Sequence, residues 1–229
     1  MKKIVHISGY NLRELPRVAT INRSGALQSK TDADWERVCW GEPNTYQLGR
    51  IPMGLWAARN FLADKIVWST GCSRRTSDNK SEAKVTYETA YGRFRELHEH
   101  FPHRFPKRLL RTEQAYHSWL ERHSVFEEVS GTTQESMNEL RHWINVSNYR
   151  SEHVIVYLVS SANHMPRVLR DAELAFGIGL NNAKFMERVT LCAIPAETNY
   201  GNGHLQDILV DDLGKMLVPR SRQGVHESE

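Results

Sequence analysis

A chain of 229 residues, 40% apolar and 25% charged, has the composition of a globular domain and enough length to bury one sizeable core. Its formal net charge of +3 comes from interspersed Lys and Arg, so no basic block argues for a nucleic-acid partner. Cys39, Cys72 and Cys192 are too few and too scattered for a disulfide scaffold, which fits a reducing compartment.

The chain opens with "KIVHIS" (3–8), a short apolar run that reads as a strand. "MKKIVHISGYN" reaches His6, Ser8 and Gly9 too soon for a signal-peptide core, and no segment approaches the roughly 18 apolar residues of a membrane span. The expectation is a soluble, cytoplasmic protein without a membrane anchor. Residues 10–48 are long, polar and dotted with glycine, and read as a loop insertion of the kind that forms lids or binding loops. A helix is expected at about 52–63, the strand "KIVWST" at 65–70 and a helix at about 81–100. "HEHFPHRFPKRLLR" (98–111) carries prolines and mixed charge; with a helix at 112–122 it forms an additional segment at about 98–122.

The strand "VFEEV" (125–129) precedes a helix at 133–147, where Met137, Leu140 and Ile144, with the neighbouring Trp143, recur at helical spacing as a buried stripe. "HVIVYLVS" (153–160) is the β-branched run of a central strand covered on both faces. A helix at 165–176, the strand "RVTLCAI" (188–194) and a helix at about 204–217 complete the pattern, and 219–229 reads as a flexible tail. This alternation predicts a single α/β domain over 1–218 with a mainly parallel sheet of about five strands. No internal repeat or domain boundary interrupts it.

Ligands of such sheets bind outside the carboxyl ends of the strands. Four polar turns follow the first four strands: "SGYN" (8–11), "STGCS" (69–73), "SGTTQES" (130–136) and "SSANHMPR" (160–167). Such turns cap helices, with Ser130 or Thr132 and Glu135 forming a capping box, or they present free N–H groups to an anion. Four together favour a site, in which Ser69, Thr70, Gly71, Ser130, Thr133, Glu135, Ser161, Asn163 and Arg167 are the expected substrate-binding residues. Arg167 is suited to a bidentate grip on phosphate or carboxylate, and His164, three residues earlier on the same helical face, to proton transfer near neutrality. Glu82 and Glu127 are the carboxylates expected to orient His164 or a water, or to meet Mg²⁺, and Glu135 is a further acidic candidate. "HEHFPH" supplies His98, His100 and His103 without a partner cluster, so these are expected to be solvated and no metal site is assigned to them. The chain has no GxxxxGK[ST], no GxGxxG after the first strand and no GxSxG elbow.

"STG" at 69–71, "SEA" at 81–83, "EEVSGTTQES" at 127–136 and "VSSANHMPRVLR" at 159–170 together resemble, in order, the motifs of the SanA/YdcF/ElyC-like family, over roughly residues 50–195. The family pattern is a Ser-Gly-Gly turn, a Ser-Glu-Ala helix start, Glu-x-x-Ser-x-Asn-Thr-x-Glu-Asn, and a Ser/Thr-x-x-His-x-x-Arg turn. The resemblance implies a Rossmann-like three-layer sandwich. It sets Glu82, Glu127, Ser130, Thr133, Glu135, His164 and Arg167 on family positions. This chain departs from the pattern in the single glycine of "STGC", in Thr132 for Asn, and in Ser136 for the Asn after Glu135, which bears on substrate more than on fold. Family members with membrane anchors are tied to envelope metabolism, and a soluble member is associated with S-adenosylmethionine.

The expectation is therefore an enzyme that hydrolyses, or transfers a group from, a small anionic ligand that is phosphate-bearing or nucleotide-like. His164, Glu82 and Glu127 would be catalytic, and S-adenosylmethionine or a divalent metal are the cofactor candidates. A non-catalytic nucleotide- or S-adenosylmethionine-binding module is the alternative, and an interaction protein using residues 10–48 a third. Oligomeric state is left open.

Overall fold

The computed structural model describes residues 1–10, 20–21, 27–28, 32–70, 78–106, 112–177 and 188–198. Strand β1 (Lys2–Ile7) comes first. The two-residue strands β2 (Thr20–Ile21) and β3 (Leu27–Gln28) pair antiparallel, helix α1 (Asp32–Cys39) follows, and β4 (Gly41–Glu42) and β5 (Gln47–Leu48) form a second small ribbon. The expectation of a loop through 48 is thus corrected from residue 32 onward. Val38, Cys39, Trp40 and Leu48 are all buried, so this polar-looking stretch carries its own contribution to the core.

Then come α2 (Arg50–Asn60), β6 (Lys65–Ser69), α3 (Glu82–Gly92), α4 (Phe94–His100), α5 (Glu113–His123) and β7 (Ser124–Glu127). The chain continues with α6 (Thr133–Val146), β8 (Val154–Ser161), α7 (Met165–Phe176) and β9 (Val189–Ala196). The helix expected at 81–100 is two helices. The chain bends at Arg93, which follows the poor helix former Gly92 and whose guanidinium pairs with Glu36 and lies 5.0 Å from the centre of the Trp40 ring. The expected helix at 204–217 and the tail at 219–229 lie outside the described residues. Among the described residues no helix is long and apolar enough to cross a membrane.

The five long strands form one all-parallel sheet in the order β7-β6-β1-β8-β9. The chain starts at the centre, moves outward through β6 and β7, and returns to the other side of β1 with β8 and β9. The order therefore reverses between β1 and β8, where the carboxyl ends of a doubly wound sheet leave a crevice. Helices cover both faces, giving a Rossmann-like three-layer sandwich. Val5, Ile7, Ile66, Trp68 and Val159 point to a first face covered by α1 to α5, and Ile4, Val67, Val156 and Leu158 to a second face covered by α6 and α7. The predicted stripe of α6 is there: Met137, Leu140 and Ile144 are buried, and Trp143 packs edge-on against Tyr149 at its border. On the first face α2 approaches β1 so closely that a Cβ at Gly54 would come within 2.3 Å of Ile7 Cδ1.

Register decides what gathers at the carboxyl edge. Ile7 lies opposite Trp68 on one side and Val159 on the other, and Ser69 lies opposite Glu127. The Ser8 N–H continues the ladder to Val159 O at 3.0 Å. One step beyond Ile7, then, Glu127, Ser69, Ser8 and Ser160 stand in a single row across four strands. Alternation turns this row to the second face, with Ser161 on the first.

Candidate functional site at the carboxyl edge of the sheet

The turn after β1 is clamped between two buried charges. Arg50, at the start of α2, is 1% exposed; its Nε donates to Ser161 Oγ at 2.9 Å and one terminal nitrogen donates to Ser8 O at 3.1 Å and to Gly9 O. Glu82, fully buried at the start of α3, accepts from the Tyr10 N–H. Gly9 O and Tyr10 N belong to the same peptide group, so one peptide is held at its oxygen by a guanidinium and at its N–H by a carboxylate. Buried charges persist only when compensated in this way. Gly9 is required here because an added Cβ would lie 1.8 Å from Thr70 Oγ1 and 2.7 Å from Glu82 Oε2. Thr70 O in turn accepts from Ala83 N at 3.2 Å, which fixes the start of α3 against the end of β6.

Glu127 ends β7 and gathers the next turn. Its Oε1 accepts from Val129 N and Ser130 N, both at 2.8 Å, and its Oε2 accepts from Ser69 Oγ at 2.9 Å and from Ser130 Oγ. Burial alone would raise its pKa, but these hydrogen bonds, those of Ser130 foremost, outweigh burial and lower it. Ser136 Oγ lies 2.5 Å from Ser69 Oγ and His6 Nε2 lies 3.1 Å from Ser136 Oγ. Because the carboxylate only accepts, the Ser69 proton goes to Glu127, the Ser136 proton to Ser69 and the Nε2 proton of His6 to Ser136. His6 is thereby the Nε2–H tautomer, and burial, opposed in part by Glu127, lowers its pKa to about 4.

Glu135 caps α6. Its N–H donates to Thr132 Oγ1 at 3.2 Å, and its Oε2 accepts from Thr132 N at 3.1 Å and Gly131 N at 2.6 Å, a complete capping box on α6. Ser130 serves Glu127 instead of the helix.

At the end of β8, His164 caps α7 with its backbone, and its Nε2 lies 3.5 Å from Thr133 Oγ1. Burial first, then the positive charges of Arg50 and Arg167, lower its pKa to about 3. The expectation of titration near neutrality is corrected by that environment: the imidazole is neutral. Arg167 is 44% exposed at the rim, with Nε 3.7 Å from Asp171 Oδ2, while Arg170 holds the same nearly buried carboxylate at 2.7 Å. The His164 N–H donates to Ser161 O at 2.9 Å, whereas neither the Ser160 nor the Ser161 hydroxyl bonds the imidazole. Four buried polar atoms of this edge have no hydrogen-bond partner: His6 Nδ1 in the row beneath, and Ser8 Oγ, Ser160 Oγ and Asn163 Oδ1 at the crevice.

The fold thus brings together Ser69, Thr70, Glu82, Glu127, Ser130, Thr133, Ser161, Asn163 and His164 along one edge, with Arg167 at its rim; Gly71 lies outside the described residues. Of the histidines expected to be solvated, His103 is exposed, while His98 and His100 are half-buried and correct the expectation. His98 donates from Nδ1 to Phe105 O at 2.7 Å and His100 Nδ1 accepts from Trp40 Nε1 at 3.1 Å, so both serve packing. Among the described residues no cluster of three or more His, Cys, Asp or Glu could hold a metal. An open depression of about 360 Å³ lined by Tyr87, Glu88, Tyr91, Gly92 and Glu121 lies outside the residues of this edge.

Arg50, His6 and Ser136 belong to no expected site. The signal for Arg50 is a lone cation opening the otherwise apolar "RIPMGLWAA", and for His6 a polar residue at a core position of a strand. No protein-family model, curated protein or solved structure matches the chain, so what the site does rests on its own residues.

Proposed function

We propose that the crevice between β1 and β8 takes a small anionic ligand, phosphate-bearing or nucleotide-like, and that the protein hydrolyses it or transfers a group from it. One observation carries the reading: at the point where strand order reverses, buried polar atoms of Ser8, Ser160 and Asn163 stand unpartnered, with the buried Arg50 guanidinium on the other face of the same turn. Buried polar groups are normally satisfied, so partnerless ones at a ligand-binding position mark where a ligand's own groups fit. The charge there favours an anion, because Arg50 and Arg167 both act on His164 and the helix N-termini of α6 and α7 add to their field.

A bound anion would offset the two arginines and raise the His164 pKa from about 3 toward the range useful for proton transfer. Glu82 and Glu127 then act as positioning residues, the first fixing the β1 turn and the second the β7 turn. The resemblance to the SanA/YdcF/ElyC-like family and a soluble, cytoplasmic setting belong to this proposal, with S-adenosylmethionine or a divalent metal as cofactor candidates.

The test is a thermal-shift screen against nucleotides, sugar phosphates and S-adenosylmethionine, followed by calorimetry of the hit in buffers of different ionisation enthalpy. A ligand at 100 times its dissociation constant stabilises by about 2.7 kcal/mol. Proton uptake on binding that vanishes in His164→Ala supports the reading; binding without proton uptake and without product supports a non-catalytic module. That second reading is favoured by one feature, the engagement of both carboxylates in backbone hydrogen bonds.

A further inference from the structure

Resting on that reading of the crevice, we infer that the anion's seat is the pair of hydroxyls Ser8 and Ser160 on the second face, and that both donate to oxygens of a single phosphoryl group of the ligand.

Ser8 and Ser160 follow the paired residues Ile7 and Val159 on adjacent parallel strands, and the Ser8 N–H bond to Val159 O keeps them level. Their side chains leave the sheet on the same face, with backbones about 4.8 Å apart. Oxygens of one phosphoryl group lie close enough together to accept from both hydroxyls at once. Ser8 is 7% exposed and Ser160 fully buried, and neither Oγ has a partner. At the other end of the same row, Ser69 and Glu127 satisfy one another through a bond of 2.9 Å. The row is therefore finished on the β6 and β7 side and unfinished at the switch point.

Two neighbours bound the seat. Behind the hydroxyls the sheet closes it, since His6, Leu158 and Val67 fill the row beneath on the same face and are all buried. Beside Ser160 the chain turns into α7, whose N-terminal cap His164 bears on the same edge. Arg167, paired with Asp171 at the rim, then meets the remainder of the ligand and does not hold the phosphoryl group.

The hydroxyls also predict an unusual sign. A buried hydroxyl without a partner destabilises the fold, so its removal costs the empty protein nothing. The test measures thermal midpoints and affinities for inorganic phosphate and phenyl phosphate with wild type, Ser8→Ala, Ser160→Ala and Arg167→Ala. Expected are unchanged or higher midpoints for both serine variants without ligand, and phosphate and phenyl phosphate binding weakened about tenfold by each, as for a hydrogen bond to a charged group. Serine variants that bind like wild type while Arg167→Ala loses binding overturn the seat and leave the crevice reading standing. Serine variants that lose stability but keep affinity assign the hydroxyls to a buried water and overturn it too. A wild-type protein silent to both phosphate and phenyl phosphate at millimolar concentration overturns the seat and the anion reading together.

Discussion

The two faces of the sheet end differently at the same edge. On the first face the polar groups are closed on themselves: Arg50 serves Ser8 O, Gly9 O and Ser161 Oγ, and Glu82 serves Tyr10 N. On the second face, one strand-width away, Ser8 Oγ and Ser160 Oγ point into the layer of α6 and α7 with nothing to bond. The first arrangement is scaffold, because its partners are all protein and a ligand would have to displace them. The second is receptive, because its donors lack partners. Charge and chemistry are thus split: the charged residues fix the turns, and the neutral hydroxyls are left for whatever enters.

The largest effect should come from breaking the clamp. Arg50→Met removes the guanidinium while leaving Glu82 buried, and should destabilise by about 3–5 kcal/mol, the loss expected when one member of a buried charge pair is deleted. Arg50→Met/Glu82→Leu should recover part of that loss, leaving the cost of the unheld Gly9–Tyr10 peptide. Urea denaturation of the single and double variants checks both; a mild loss in Arg50→Met would mean that the two charges are not compensating one another.

The polar row should reveal itself through acid. The folded pKa of His6 at about 4 lies below the roughly 6.5 of an unfolded chain, so the unfolded state binds the proton more readily. His6 therefore takes nothing from stability above pH 6.5 and removes up to about 3 kcal/mol as pH falls from 6.5 to 4. His164 acts with the same sign, and Glu127, its pKa lowered, adds a loss as pH falls through its folded value. Urea midpoints of wild type and His6→Asn, measured at pH 7 and 4.5, isolate the first contribution: the variant should be less stable at pH 7 yet lose less on acidification. Parallel pH profiles for the two proteins would show that His6 titrates normally in the fold.

Much of the fold is legible in the chain itself, because the parallel sheet depends on short β-branched runs and its helices on periodic stripes. "HVIVYLVS" and the Met137, Leu140, Ile144 stripe are where the pattern puts them. The same local rules misread 32–48, where Trp40 and Leu48 pack into the core from a stretch whose composition is polar. For the site, the turns were legible as a group but the division of labour within them was not. Glu135 and Thr132 satisfy each other in a capping box, a pairing their three-residue spacing already allows, whereas Arg50 reaches Ser161 across 111 positions of sequence. Side chains that act through neighbours in sequence can be found from spacing. Those that act through register need the sheet order, which only the folded topology supplies.

A smaller effect than the clamp's should follow from Gly9→Ala. The new methyl would collide with Thr70 Oγ1 and the Glu82 carboxylate, so the β1 turn must shift away from β6. A loss of about 1–3 kcal/mol is expected, the range for overpacking a tight site, and Thr70→Ser, which keeps the hydroxyl, should not relieve it while Thr70→Gly should. Rescue by both, measured as thermal midpoints of the paired variants, would place the obstruction at the Thr70 methyl.

The smallest effect sharpens the division between scaffold and receptive groups most directly. Glu135 stands at the same edge as the proposed ligand site, yet its Oε2 accepts from Gly131 N and Thr132 N. Glu135→Ala should cost about 1 kcal/mol, the usual value of a helix cap, and leave phosphate affinity unchanged. Thr132→Ala, which removes the other half of the box, should cost about as much, and the double variant less than the sum because each half supports the other. If Glu135→Ala instead weakens phosphate binding with no loss of stability, the carboxylate faces the ligand, and the boundary between scaffold and ligand contacts runs through α6 and not along the row of hydroxyls.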